Sequence, residues 1–138
     1  MPTPHKNKTF ATFLAVILGA VGAHRFYLRG ALDRLGLMHV ASLPITGLVY
    51  GLAPDADWFF KVLPILVSGV VGFLEALVIG LTSDEKFDAA FNEGSGRNSD
   101  SSWVLALLLV ATMMIGTTTL IATMSRLFDL LYTGGAYG

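Results

Sequence analysis

The chain has 138 residues, no cysteine and a formal net charge of -1, with 54% hydrophobic residues, 14% charged residues and a mean hydropathy of +0.65. A composition this apolar excludes an ordinary soluble domain, and the near-neutral balance provides no basic stripe, so nucleic acid is not an expected partner. Without cysteine there is no disulfide framework, thiol nucleophile or thiolate metal site.

Thr3 and Pro4 suit an N-cap and a first helical residue, and Lys6 and Lys8 precede an apolar run over residues 10–23. About 14 residues rise only about 21 Å, so this first span must tilt or borrow length from Phe26, Tyr27 and Leu28; its expected extent is 10–28. A cleaved secretory leader is the competing reading, because a basic start, an apolar centre and the small residues Gly22 and Ala23 fit one. A mature chain starting at His24 would mark it.

Arg29, Asp33 and Arg34 lead into a second run, residues 35–53, about 28 Å long as a helix and expected to kink at Pro44. Pro54-Asp55-Ala56-Asp57 is a polar turn with two candidate N-caps. A third run covers 58–81, with Trp58 at the interface, Lys61 snorkelling, and Pro64 early enough to be tolerated.

Ser83, Asp84 and Glu85 open a short amphipathic helix over 83–92. Its Phe87 and Phe91 form an apolar face expected to lie on the membrane surface. Residues 93–102 read as a flexible linker, residues 103–124 as a fourth span, and residues 133–138 as a tail that frays. The expected fold is an all-α membrane protein: residues 1–92 form one membrane domain with three spans, and the interfacial helix and linker join it to the fourth. That makes a bundle of four transmembrane helices.

Ionisable residues within such spans are expensive unless paired. With four alternating crossings, the end of the first span, the start of the second and the end of the third share one side of the membrane. His24, Arg25 and Glu75 are therefore expected to form an intramembrane polar cluster, joined by His39. Small residues should line the helix contacts, since lipid gives apolar helices no hydrophobic drive to associate. Candidates are Gly19 and Ala23 on the first span, Gly47 and Gly51 on the second, and Gly72, Ala76 and Gly80 on the third. On the fourth, Thr112, Gly116, Thr119 and Thr123 form one weakly polar stripe.

No catalytic arrangement stands out. His24, His39 and Glu75 are of types that do acid-base chemistry or bind metal, but they lack the spacing of a metal motif, and no cofactor or metal site is assigned. Gly19 to Gly22 is not a phosphate loop, because no Gly-Lys-Ser or Gly-Lys-Thr follows. Arg25, Arg29 and Arg34 can contact anionic phospholipid, though their plainer role is anchoring at the interface.

The stretch His24-Arg25-Phe26-Tyr27-Leu28, preceded by Gly19, Gly22 and Ala23, resembles the two-transmembrane (TM-two) domain family. In that family a short His-Arg-Phe-Tyr-Leu-Gly loop joins two helices, and the second ends in an acid followed by apolar residues. Phe73-Leu74-Glu75-Ala76-Leu77-Val78 looks like that ending, with Glu in place of Asp. The segment from Thr82 to Asp88, with Phe91 and Asn92, resembles a bacterial four-span branch. Arg29 before Gly30 and the long interval from His24 to Glu75 depart from the simple two-helix form. The resemblance implies a multi-pass protein of the bacterial cytoplasmic (inner) membrane with undefined biochemistry. The expected function is a non-enzymatic membrane module that packs with itself or with a partner membrane protein. The alternative is a small channel, transporter subunit or lipid-moving protein with an intramembrane polar path.

Overall fold

A computed structural model describes residues 2–137; Met1 and Gly138, the latter part of the tail expected to fray, lie outside the described residues. The described residues form six α-helices: α1 (Lys8–Leu18), α2 (Ala23–Arg29), α3 (Arg34–Leu52), α4 (Trp58–Leu81), α5 (Asp84–Phe91) and α6 (Trp103–Thr133). Among the described residues there is no strand. Three helices, α3, α4 and α6, are long and apolar enough to cross a membrane.

The first expected span is not one helix. Asn7, rather than Thr3, caps α1 by accepting from the Phe10 N–H, and α1 ends at Leu18 after 11 residues. A 3-10 turn, Gly19–Val21, and Gly22 at φ 74 then reverse the chain into α2. The left-handed conformation at Gly22 is one that a residue with a Cβ rarely adopts, and it is what makes the reversal possible here. The Asn7 N–H donates to the Tyr27 hydroxyl at 2.8 Å, and Phe10 packs edge-on against Tyr27. The start of α1 and the end of α2 therefore lie at the same level.

This hairpin packs along α4, which also contacts α3 and α6. Lys8, at the mouth of the hairpin, reaches the Thr82 carbonyl at 2.6 Å, whereas Gly19, at its tip, lies against Gly72 near the middle of α4. A Cβ on Gly19 would come within 2.8 Å of the Gly72 Cα, so two backbones touch where only glycine fits. The tip exposes a carbonyl that has no helical partner. Ser68 Oγ donates to that Ala20 oxygen at 2.6 Å and supplies the partner that a non-helical carbonyl packed against an apolar helix needs.

The other helices differ from expectation in detail. Asp33 caps α3, which continues through Pro44 as one helix. Of the small residues proposed for packing, Ala76 is fully buried, Gly80 faces Leu109, and Gly116 faces Phe73. Gly47 and Gly51, by contrast, have nothing within 4 Å of a built Cβ and are not used inside the fold. On α6, Leu105 and Thr112 are buried, and Gly116, Thr119 and Thr123 continue that face half-buried.

The fourth helix runs nine residues beyond its expected end at 124. Arg126 explains the extension: it bonds Asp129 at 2.8 Å on its own helix and Asp57 at 3.1 Å at the start of α4, which gives the polar end a partner. Beyond it, Asp129 accepts from the Tyr137 N–H and its carbonyl from the Thr133 hydroxyl, so residues 133–137 are tied rather than frayed.

The polar segment between α4 and α6 is more ordered than a linker. Phe87, expected to face the membrane, is 1% exposed and packed inside the protein beside Phe91. Asn92 accepts from the Lys6 N–H and donates to the Lys6 carbonyl, a two-way clasp between the N-terminal segment and the end of α5. Asp88 receives the Ser99 N–H at 2.7 Å, and Ser95 and Ser99 meet His5. Residues 3–8, α5 and residues 92–101 thus form one polar cap over the mouth of the hairpin.

Candidate functional site

Beneath that cap the hairpin, α3 and α4 bring four ionisable residues together. His24 and Arg25 come from the first turn of α2, His39 from α3 and Glu75 from α4. His24 is fully buried and His39 is 6% exposed. The Glu75 carboxylate is their common partner: Oε2 contacts His24 Nε2, Oε1 accepts from the Arg25 guanidinium at 3.0 Å, and His39 Nε2 stands 3.6 Å from Oε2. Arg25 also donates through Nε to Asp33 at 2.7 Å, whose other task is to cap α3 through the Gly36 N–H. The Arg25 guanidinium beside Asp33 holds its carboxyl below the usual carboxylate range.

All four residues predicted as a polar cluster therefore meet at one place. They do so by a different route from the one expected, since α2 turns back towards the start of α1 instead of ending a crossing. Phe26 packs over Gly36, Tyr27 closes the hairpin, and Arg29 lies over the Phe91 ring at 5.1 Å. The loop that carries the TM-two resemblance is thus a helical turn against the rest of the fold.

Sequence reasoning missed Ser42, Ser68 and Lys8. Ser68 Oγ has one hydrogen, which goes to the Ala20 carbonyl, so the 2.7 Å contact with His39 must be an Nδ1–H donated to the serine oxygen. That fixes the tautomer: a neutral His39 directs the lone pair of Nε2 at Glu75. Ser42 sits one turn below His39 and donates to the His39 carbonyl at 2.6 Å. The signal for Ser68 was its spacing, seven residues before Glu75 on one face of α4. Lys8 is 6% exposed and pairs with Asp84 at 2.8 Å, and Lys8 and Ser101 together hold the Asp84 carboxyl down at about 2.

Two cavities flank Glu75. One of about 420 Å³ lies between α2, the end of α4 and α5, lined by His24, Arg25 and Arg29 as well as Val78, Phe87 and Phe91. The other, about 270 Å³, lies between α3 and α4 and is lined by His39, Ser42 and Ser68 among Leu35, Met38, Ile45 and Val67. His24 Nδ1 and Thr46 Oγ1 are buried without a hydrogen-bond partner. The ligand atoms of His24, His39 and Glu75 lie within 4.8 Å of one another, a spacing from which one ion could be held. Comparison with protein-family models, with curated proteins and with solved structures gives no match to the chain.

Proposed function

We propose that the chain is a non-enzymatic, multi-pass membrane module that associates with a second copy of itself through the Gly47–Gly51 face of α3. The observation that carries this is the contrast among glycines within helices. Gly36, Gly69, Gly72, Gly80 and Gly116 each meet a neighbour within 4 Å, but Gly47 and Gly51 meet none. A helical glycine costs about 1 kcal/mol against alanine, so two unused ones, four apart on an apolar helix, fit a backbone approaching from another chain. The lower half of α3 is open on that side, with Leu43, Leu48 and Tyr50 at 45%, 60% and 49% exposure. Glu75 bonds His24 and Arg25, and the Ser68 hydroxyl is committed to Ala20, which supports structure over catalysis. Crosslinking in native membranes tests the proposal: wild type should give a dimer that Gly47→Ile and Gly51→Ile abolish, and a dimer untouched by both would refute it.

In the membrane this reading has three full crossings, α3, α4 and α6, plus a re-entrant hairpin whose tip reaches the level of Gly72. The four-crossing bundle would instead need α1 and its turn to traverse alone, over about 21 Å. The hairpin also changes the charge balance. Lys6, Lys8, Arg25, Arg29, Arg34, Lys86 and Arg97 fall on the cap side, against Lys61 and Arg126 on the other, out of nine in all. Short basic flanks stay inside, so the cap faces the cytoplasm. A bacterial inner membrane and the TM-two family belong to the same proposal, supported by the meeting in one cluster of His24, Arg25 and Glu75, residues on which the resemblance rests. Arginines 25 and 29, beside the larger cavity, are placed for anionic phospholipid headgroups.

A second reading, a polar path for a solute or ion, has one observation behind it. His39, Ser42 and Thr46 descend one face of α3, and Thr46 Oγ1 has no partner. Flux in liposomes that Glu75→Gln abolishes would favour it; flux that is absent or unchanged would remove it.

A further inference from the structure

We infer that His24, His39 and Glu75 form a binding site for a single divalent transition-metal ion that ties the hairpin to α3 and α4. His39 Nε2 and Glu75 Oε2 face each other at 3.6 Å, too far for a hydrogen bond. Since Ser68 holds the proton of His39 on Nδ1, this contact sets a lone pair against a carboxylate. One proton between His24 Nε2 and Glu75 satisfies only one of the two imidazoles. A cation bound by all three atoms takes the Nε2 lone pair of both, with His24 Nδ1 left without a partner in either case. Ligands about 2.0–2.2 Å from a tetrahedral ion lie about 3.3 Å apart, within reach of a cluster already drawn inside 4.8 Å.

The surroundings are those of a built site. Ser68 on His39 Nδ1 is the outer partner that orients a metal-binding imidazole. Arg25 occupies the other oxygen of Glu75, leaving Oε2 for the ion. Arg25 faces two carboxylates, Asp33 and Glu75, so its one charge is shared and does not by itself neutralise Glu75. Two imidazoles and one carboxylate suit Zn²⁺ and its neighbours rather than Mg²⁺ or Ca²⁺. The cavities lined by His24, His39 and Glu75 give a further ligand, water or an anionic oxygen, a way to this group. His24 from α2, His39 from α3 and Glu75 from α4 make such an ion a staple between three elements. The inference is independent of self-association through Gly47 and Gly51.

The test is a metal titration of the purified full chain in detergent after chelation. Co²⁺ alone should give the strong visible bands of a tetrahedral site at one ion per chain, Zn²⁺ should displace it, and added Zn²⁺ should raise the thermal midpoint of wild type. His39→Ala should abolish one-to-one binding, and Ser68→Ala should weaken it about 10- to 100-fold. The third histidine, His5, lies in the polar cap, and His5→Ala should change nothing. Wild type without stoichiometric binding overturns the proposal whatever the variants do. So does binding that survives His39→Ala or is lost with His5→Ala. Stabilisation by mild acid with no response to metal overturns it too, because a proton would then be the cation.

Discussion

Replacing Gly72 by alanine places a methyl group 2.8 Å from the Gly19 Cα, 2.9 Å from its carbonyl carbon and 3.2 Å from the Ala15 oxygen. All three are backbone atoms, so no side chain can swing away; the hairpin must retreat by about half an ångström or more to reach ordinary contact. That retreat stretches the 2.6 Å bond from Ser68 to Ala20 and moves His24 relative to Glu75. Overpacking costs about 1–3 kcal/mol, and a clash with backbone alone belongs at the upper end; alanine recovers up to about 1 kcal/mol as the better helix former, so the net loss should be about 2 kcal/mol. Gly47→Ala is the control, since it meets open space and should leave the monomer unchanged or slightly more stable. Unfolding in mixed micelles, followed by circular dichroism, measures both. Gly72→Ala matching wild type, or Gly47→Ala as damaging as Gly72→Ala, would refute the packing of the hairpin tip.

Other outcomes follow from the same geometry. Glu75→Gln keeps the shape but removes the charge facing Arg25 and His24; about 2 kcal/mol should be lost, less than for a sealed pair because Glu75 is 20% exposed and Arg25 keeps Asp33. The same unfolding assay measures it, and no change would dismiss the cluster as a structural element. Asp84 is depressed from 3.8 to about 2 by Lys8 and Ser101, so its contribution is complete above pH 4 and fades as pH falls from 3.8 through about 2. The protection of α5 against hydrogen exchange, relative to the intrinsic rate at each pH, should fall across that window in wild type and lose this dependence in Asp84→Asn; identical profiles would contradict it. Arg126→Ala should cost no more than about 1 kcal/mol, since its ion pairs are partly solvated, but should loosen residues 134–137 in exchange measurements.

The sequence carried the long helices openly. α3 and α4 match their expected runs within a residue, because unbroken apolar stretches flanked by Asp33, Asp57 and Thr82 leave little choice of boundary. The depth argument also led to the right polar neighbours: a carboxylate inside a span needs a cation, and Arg25 was the nearest one. What stayed hidden was the direction of α2. Ala23 to Arg29 has the same composition whether it extends α1 or folds back on it. The decision rests on Gly22 at positive φ, on the Gly19–Gly72 contact and on Ser68 donating to the Ala20 carbonyl, none of which a single sequence displays. Phe87 was misplaced for a related reason. An apolar stripe on a short helix suits a membrane surface or a protein surface equally well, and the Asn92 clasp on Lys6 settles it for the protein.

Cysteine accessibility tests the re-entrant hairpin most directly, because the chain has no cysteine of its own and single introduced thiols report without background. Pro2→Cys and Asn98→Cys lie on the cap side, and Asp55→Cys and Ala136→Cys on the opposite side. In intact cells expressing the chain, an impermeant maleimide should label one pair and spare the other until the membrane is opened, and the proposed orientation makes the second pair the labelled one. Pro2 and Ala136 labelled from the same side would mean that the first segment crosses fully, and the hairpin would be wrong.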